Sequence, residues 1–513
     1  MQPSADVIII GLGPTGAVLA HLLGQAGVST VVFERESEVY PRPRAVFFDD
    51  EICRLLWQVG LGEALATFSR PVQGMDLVNG AGDVLYRYRP GTAESELGFA
   101  EGYMFSQPDL ERALRHALAS HSSVTQLTGF DAEGVRRIDR GPDSPPDYEV
   151  LALDLNGNRQ ACRAPWVIGC DGASSPTRRL IGADLEELGP DAEWLVVDLM
   201  LEPGLMAWLD LPEVTVQYCN PQRPATWVPL PADRCRFEIR VMPGDDTETL
   251  LKPEALRALL RQWMPADDYE IERAVVYTFH ALLADRWQSQ GLLIAGDAAH
   301  QMPPFLGQGM CSGIRDAANL AWKLALVVAG RADRSLIETY TSERSQHTRH
   351  IIDTDLRLGD VIQTTDPEIA RARDQQAIDA GGAVPLTPPR FPIGPGVHTG
   401  SGLPAPGRAP MAEEAVWPHC FHLIGDVEPS EWAQTALEAL GVRRVPEPDA
   451  VLAEWLAAQG DGTRAALVRP DTLIAGLVDT PEQLDALLAE WSGWFAFEGA
   501  APGDAAPGDG GAA

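Results

Sequence analysis

Three short segments of this chain combine residue types suited to phosphate, polyol and heteroaromatic chemistry. The first is Gly11-x-Gly13-x-x-Gly16, between the apolar run Asp6 to Ile10 and a stretch carrying Ala17, Leu19, Ala20, Leu22 and Leu23. Gly11 permits a tight turn, Gly13 lets backbone approach a pyrophosphate, and Gly16 allows a helix to pack closely on a strand. Pro14 near the helix start costs no hydrogen bond. The helix N-terminus offers N–H groups and positive dipole to phosphate. Glu34 closes the next apolar run, Thr30 to Phe33, 18 residues after Gly16. There it is placed to accept from a ribose diol and disfavours a 2′-phosphate.

The second segment is LLIAGDAAHQMPPFLGQGMCSGIRDAANLAWKL, with Gly296-Asp297 at a strand end. A carboxylate there suits a polyol hydroxyl such as that of ribitol. Pro303, Pro304, Gly307 and Gly309 form a backbone-rich loop into a helix expected to start near Ser312. N–H donors and a helix N-terminus would stabilise negative charge at the pyrimidine edge of a reduced flavin. Taken alone, the segment reads equally well as a Gly/Pro loop before a core helix. The third is Asp171-Gly172, after the apolar strand Trp166 to Cys170, which alone is only a turn. Together the three are far more specific than any one of them.

These segments need a doubly wound core to hold them, and at 513 residues two or three lobes are expected. A helix is expected over about Pro108 to Ala119, capped by Ser106 and Asp109. Strand-like runs at Val214 to Tyr218, Thr226 to Val228 and Phe237 to Val241 read as an inserted sheet. The fold class is therefore α/β with an α+β insert. Residues 1–72, 100–190 and 280–383 are assigned to a discontinuous Rossmann-like FAD-binding domain, and 73–99 and 191–279 to a mixed β-sheet substrate domain. Residues 384–410 read as a Pro/Gly-rich extended linker, 411–500 as a small separate domain, and 501–513 as a disordered tail.

Composition narrows the function classes. With 73 acidic against 40 basic side chains, net charge −33, the surface repels phosphate backbones and anionic lipid. No nucleic-acid or membrane partner is expected. Seven dispersed cysteines without a C-x-x-C pair indicate reduced cytosolic thiols and no metal site. With no signal peptide apparent, a cytoplasmic location is expected.

The sequence resembles the single-component flavoprotein aromatic hydroxylases, whose reference member is para-hydroxybenzoate hydroxylase. DVIIIGLGPTGAVLA, VIGCDGASSPTRR and LLIAGDAAHQMPPFLGQGMCSGIRDAANLAWKLA match the family's three fingerprints. RAVFFDDEICRLLWQVGL, MFSQPDLERAL, WLVVDL and RFEIRVMPGDD are most similar to the 3-(3-hydroxyphenyl)propionate hydroxylase branch. The resemblance is strong over about residues 5 to 360. The C-terminal part resembles the redox-inactive thioredoxin-like appendage of some members.

The resemblance implies FAD held by Gly11, Gly13, Gly16, Glu34, Arg44, Gln107, Asp171, Gly296 and Asp297, with Gly309, Met310 and Cys311 near the isoalloxazine. Arg44 also has its own rationale, since a guanidinium pairs well with pyrophosphate. Gln107 equally suits a local helix cap. Arg44, Pro303 and Gly307 are the positions implied for catalysis. His300 is expected to pack behind the flavin loop rather than act as a base. Cys311 stands where Asn is common, so only its backbone N–H is expected to serve.

The implied reaction has NADH or NADPH reduce FAD, O2 add to give a C4a-hydroperoxide, and an oxygen pass to an aromatic small molecule. Pro304, Gln217, Tyr218, Trp227 and Phe237 are candidate substrate-lining residues, with Trp194 beside them, although a core aromatic is the commoner identity of any single one. No phenol base is evident. The role of a family Asp is not carried onto Val46, Asp49 or Asp50. Baeyer–Villiger or epoxidising chemistry on a polyketide-like product is one alternative, and a non-catalytic binding protein on the same fold is another. A homodimer is compatible with the sequence.

Overall fold

The computed structural model describes residues 4–406 and 420–497, apart from 42–43, 92, 142–143, 265–268, 399–400, 449, 461 and 496. The tail expected at 501–513 and residues 407–419 lie outside the described residues.

The apolar runs flanking the glycine turn become the centre of a six-stranded sheet. Its order is Gln288–Ser289, Leu292–Ile294, Trp166–Gly169, Val7–Ile10, Thr30–Glu34 and Val124–Thr128. All neighbours but the first pair run parallel. Val7, Ile8 and Ile9 are wholly buried, as continuous apolar runs in a parallel sheet must be. One core joins these strands to the helices Pro14–Gln25, Gln107–Leu118 and Gly309–Val328 and to an antiparallel meander over 131–164. Ser106 stands at the N-cap of the Gln107–Leu118 helix, but its side chain makes no capping bond. The capping box expected there does not form: Ser106 N–H donates to Phe68 O and Asp109 pairs with Arg112.

The inserted strands build a nine-stranded sheet. Its order is His300–Gln301, Tyr269–Ala284, Leu185–Leu201, Arg234–Arg240, Ala225–Pro229, Thr215–Tyr218, Met75–Val78, Val84–Tyr88 and Val384–Pro385. Alternation divides its faces. Leu195, Val197, Leu199 and Leu201 pack with Trp227, Phe237 and Ile239 against the Pro253–Leu260 helix. Trp194, Val196 and Asp198 take the other face. The segment read as a linker is docked: Val384–Pro385 pairs with Tyr86–Arg87, and Val397 is wholly buried.

The last unit runs strand His422–Gly425, helix Glu431–Leu440, strand Arg443–Val445, helix Ala450–Ala458, hairpin Ala465–Val468 and Ile474–Val478, and helix Pro481–Glu490. Two parallel strands beside an antiparallel hairpin give it a thioredoxin-like topology. It is joined to the rest by buried charge. Glu343 Oε2 accepts from Lys323 Nζ and from Arg469 Nη2, both at 2.8 Å, and all three side chains are fully buried. Burial alone would raise the Glu343 carboxyl, but Arg469 and Lys323 outweigh it and hold it well below the usual carboxylate range. Arg54 adds bonds to Ala405 O and Thr472 Oγ1. Removing one member of such a cluster strands the others without compensation. Glu343→Gln is therefore expected to lower unfolding free energy by about 3–5 kcal/mol in urea titration, and a loss below about 1 kcal/mol would contradict the buried cluster.

Candidate active site

The three motif glycines meet different surroundings. A Cβ on Gly11 would lie 2.3 Å from Cys170 O, and its φ of +100° already excludes other residues. A Cβ on Gly16 would lie 2.1 Å from Gly11 O. Both glycines are demanded by protein packing. A Cβ on Gly13 would meet nothing within 4 Å. The space in front of Gly13 is open, as backbone needs it to be if a pyrophosphate approaches. Gly13 is the N-cap of the Pro14–Gln25 helix and no side chain caps that end, so its first N–H groups remain available to an anion.

The polar groups expected around this turn are gathered beside it. Glu34 Oε2 accepts from Leu12 N–H at 2.7 Å and Oε1 from Glu36 N–H at 2.8 Å. Each oxygen keeps a second lone pair for a ribose hydroxyl. From Gly291 to His300 every residue is buried except Asp297, which is exposed. Surrounding protein pushes the Asp297 carboxyl up, and the His300 and Arg44 charges oppose that rise. Asp171 Oδ2 accepts from Thr177 N–H and Oγ1, while its Oδ1 is buried without a partner. Arg178 ties the second segment to the third, donating to Ala173 O and Ala298 O. Gln107 bonds within the protein. Its Oε1 accepts from Arg44 N–H at 2.9 Å and Ala45 N–H at 2.6 Å, and its Nε2 donates to Glu111. It clamps the Arg44 backbone.

The helix after the Pro-rich loop begins at Gly309, three residues before Ser312, because Gln308 C=O already accepts Ser312 N–H at 2.8 Å. The amides of Gly309, Met310 and Cys311 thus precede the first intrahelical bond, and no side chain caps them. The Cys311 thiol is buried and turned onto the carbonyls of Phe47 and Gly307, so only its backbone can reach a ligand. Gly307, at φ +66°, leaves a Cβ position 3.0 Å from the Phe47 ring. Pro303 is buried and Pro304 half-buried beside it.

Charges that the sequence reading did not assign fix this loop. Asp316 Oδ2 accepts from Gly296 N–H at 3.0 Å and bonds His300 Nε2 at 2.7 Å, while Oδ1 accepts from Arg344. His300 lies behind the loop in that cluster. Asp49 binds Arg315 and Gln308, Asp50 binds Arg390, and Asp355 accepts from Leu306 N–H at 2.8 Å. Asp316 and Arg315 stand in the third fingerprint with Gly296, His300 and Gln308, but nothing local shows that Arg344, Asp49 and Glu51 join them from outside it.

The nine-stranded sheet covers this surface from the other side. Trp194 meets Phe305 of the Pro-rich loop edge-on at 5.7 Å, and Arg236 donates to Arg44 O at 2.7 Å. Of the strand residues expected to line a substrate, Gln217 shares that face, its Oε1 accepting from Thr226 Oγ1. Tyr218, Trp227 and Phe237 do not. They pack with Trp263 in the core behind the sheet, and Trp227 donates to Pro212 O at 2.9 Å. The physical reason is parity: alternate residues of a strand face opposite sides. Among the described residues no group of three or more His, Cys, Asp or Glu is placed to hold a metal, and no helix is long and apolar enough to cross a membrane.

Residues 4–355 match the family model described as FAD binding domain. The chain is 38% identical over 382 residues to a probable NADH-specific resorcinol 4-hydroxylase of Rhodococcus jostii, covering 74% of this chain and 69% of that one. It is 38% identical over 364 residues to the 3-(3-hydroxy-phenyl)propionate/3-hydroxycinnamic acid hydroxylase of Paraburkholderia xenovorans, covering 71% of this chain and 56% of that one. Its fold superposes on aklavinone-11 hydroxylase in a ternary complex with FAD and aklavinone, at TM-score 0.75 and 21% identity over 95% of this chain and 99% of the other. The flavin-dependent monooxygenase PieE, in complex with FAD and substrate, gives TM-score 0.74 at 20% identity, again over 95% and 99%. The chain belongs to this FAD-binding family, within its aromatic-hydroxylase branch.

The glycine geometry separates folding from binding. Gly13→Ala is expected to fold and melt like wild type yet weaken FAD binding about tenfold or more, read by flavin fluorescence titration. Gly16→Ala is expected to destabilise the fold itself. Unchanged FAD affinity in Gly13→Ala would place the pyrophosphate elsewhere.

Proposed function

We propose that this protein uses NADH or NADPH and O2 to hydroxylate a small phenolic substrate. Bound FAD would supply the electron transfer and oxygen activation. The chain's own residues divide the remaining work. Gly13 and the Pro14–Gln25 helix start would hold the pyrophosphate, Glu34 an adenosine ribose, Asp297 the ribitol, and the Gly309–Cys311 amides the pyrimidine edge. Pro303, Pro304 and Gly307 present the reacting face, and the sheet above excludes water.

The observation carrying this reading is the closure between Trp194 and Phe305 at one end and Arg236 and Arg44 at the other. It sets a half-polar sheet face over the flavin loop. The relatives described as resorcinol and hydroxyphenylpropionate hydroxylases support a phenol as substrate, and the NADH-specific description of the first supports NADH as reductant.

The test is the visible spectrum of purified protein, followed by NADH and NADPH oxidation with resorcinol and 3-(3-hydroxyphenyl)propionate. A flavin spectrum, phenol-stimulated oxidation and a product heavier by one oxygen are expected. Flavin without any phenol response would sink the hydroxylase assignment.

A further inference from the structure

One carboxylate on the sheet face above the flavin loop is joined to the Asp198–Arg236 network by a long ion pair. Register aligns Leu77, Gln217, Thr226, Glu238, Val196 and Val275 in a single cross-strand row. Cys235, Phe237 and Ile239 belong to the core behind the sheet, so Arg236, Glu238 and Arg240 occupy the site face. The row lies between the two points where sheet and flavin domain touch. On one side Trp194, paired with Arg240, meets Phe305; on the other Arg236, two residues before Glu238, holds Arg44 O.

The polar groups near Glu238 are mostly engaged with one another. Asp198 takes Arg236 in a two-pronged bond at 2.7 and 3.3 Å, with Arg273 at 3.6 Å. Thr226 donates to Gln217. Arg240 donates to Gln363. Glu238 is ion-paired with Arg236 Nη1 at 3.7 Å, a long contact that leaves carboxylate lone pairs for a ligand, and its side chain is 12% exposed. Val196 and Val275 flank it on one side and Thr226 and Gln217 on the other, an apolar edge beside a polar one.

We propose that Glu238 is the catalytic residue that accepts the hydroxyl proton of the phenolic substrate and orients its ring over the flavin loop. The proposal rests on the hydroxylase reading above. The phenol O–H bond breaks, an O–H bond to a Glu238 oxygen forms, and the electron pair stays on the phenol oxygen, enriching the ring positions ortho and para to it. No oxidation occurs in this step. When the oxygenated ring regains aromaticity, its C–H proton leaves to water and Glu238 returns its proton to the oxygen.

Burial pushes the Glu238 carboxyl up, with Arg236 opposing and Asp198 reinforcing the rise. A base moved toward neutrality is better matched to a phenol. The charged groups around it are Arg236 and Arg240 on its strand, Asp198 and Arg273 on neighbouring strands, and Arg44 in the loop that Arg236 holds.

The test compares wild type with Glu238→Gln and Glu238→Asp, after confirming FAD content, on a phenol that wild type hydroxylates. Glu238→Gln is expected to lose about 100-fold in kcat/KM near neutral pH and to recover as pH approaches the phenol's own pKa, about 10. Glu238→Asp is expected to retain a low-pH limb like that of wild type. A Glu238→Gln variant within about threefold of wild type (~0.7 kcal/mol), with the same pH limb, would overturn the proposal while leaving the hydroxylase reading intact. Wild type inert toward every phenol would overturn both. Should the variants lose FAD, the ultraviolet difference spectrum of phenol bound to wild type decides. A phenolate band appearing well below the free phenol's pKa supports Glu238, and neutral bound phenol throughout overturns it.

Discussion

Close packing against glycine, by backbone or by a short side chain, is the constraint on which the rest of this molecule depends. Gly16 sits against Gly11 O, Gly11 against Cys170 O, and both Gly296 and Gly313 against the Thr15 side chain. A single methyl at any of these positions would enter a neighbour's van der Waals shell. Segments from the first, second and third parts of the flavin domain are thereby drawn onto one helix start. The sites that packing does not require to be glycine are as informative. The space in front of Gly13 is open, and the neighbouring Leu12 N–H is held by Glu34.

Around that contact the structure repeats one device, a buried carboxylate that fixes backbone. Asp316 holds Gly296 N–H, Asp355 holds Leu306 N–H, and Asp198 orients Arg236 to hold Arg44 O. Such groups are costly to bury without partners, and Asp355, held by Leu306 N–H with its other oxygen unpartnered, has its carboxyl pushed well up by burial. Their consequence is a loop of prolines and glycines whose backbone is tied at Gly296 and Leu306 and whose Phe305 meets the inserted sheet. Positioning of this kind is what oxygen transfer to a ring requires of a protein.

The parts of this plan that were legible in sequence are those whose physics is local. A glycine turn between an apolar strand and a helix announces its geometry, and Asp297 at a strand end announces an acceptor. What depends on strand pairing was hidden. Tyr218, Trp227 and Phe237 were indistinguishable from Gln217 until register assigned them to opposite faces. The Asp198–Arg236 pair spans 38 residues, and Glu343 with Arg469 spans 126. No spacing rule reaches either one. The bonds from the Arg44 and Ala45 amides to Gln107 span more than sixty residues and are equally unreadable from spacing. The linker reading followed composition, and missed that Val384–Pro385 would find an open sheet edge.

The most direct test of the account is a crystal structure of the protein with FAD and a phenol it hydroxylates. The account predicts pyrophosphate against Gly13, the flavin's pyrimidine edge at the Gly309–Cys311 amides, and the phenol oxygen within hydrogen-bonding distance of Glu238. Flavin seated with its pyrophosphate away from Gly13, or a phenol bound with its ring remote from the row containing Glu238, would contradict it.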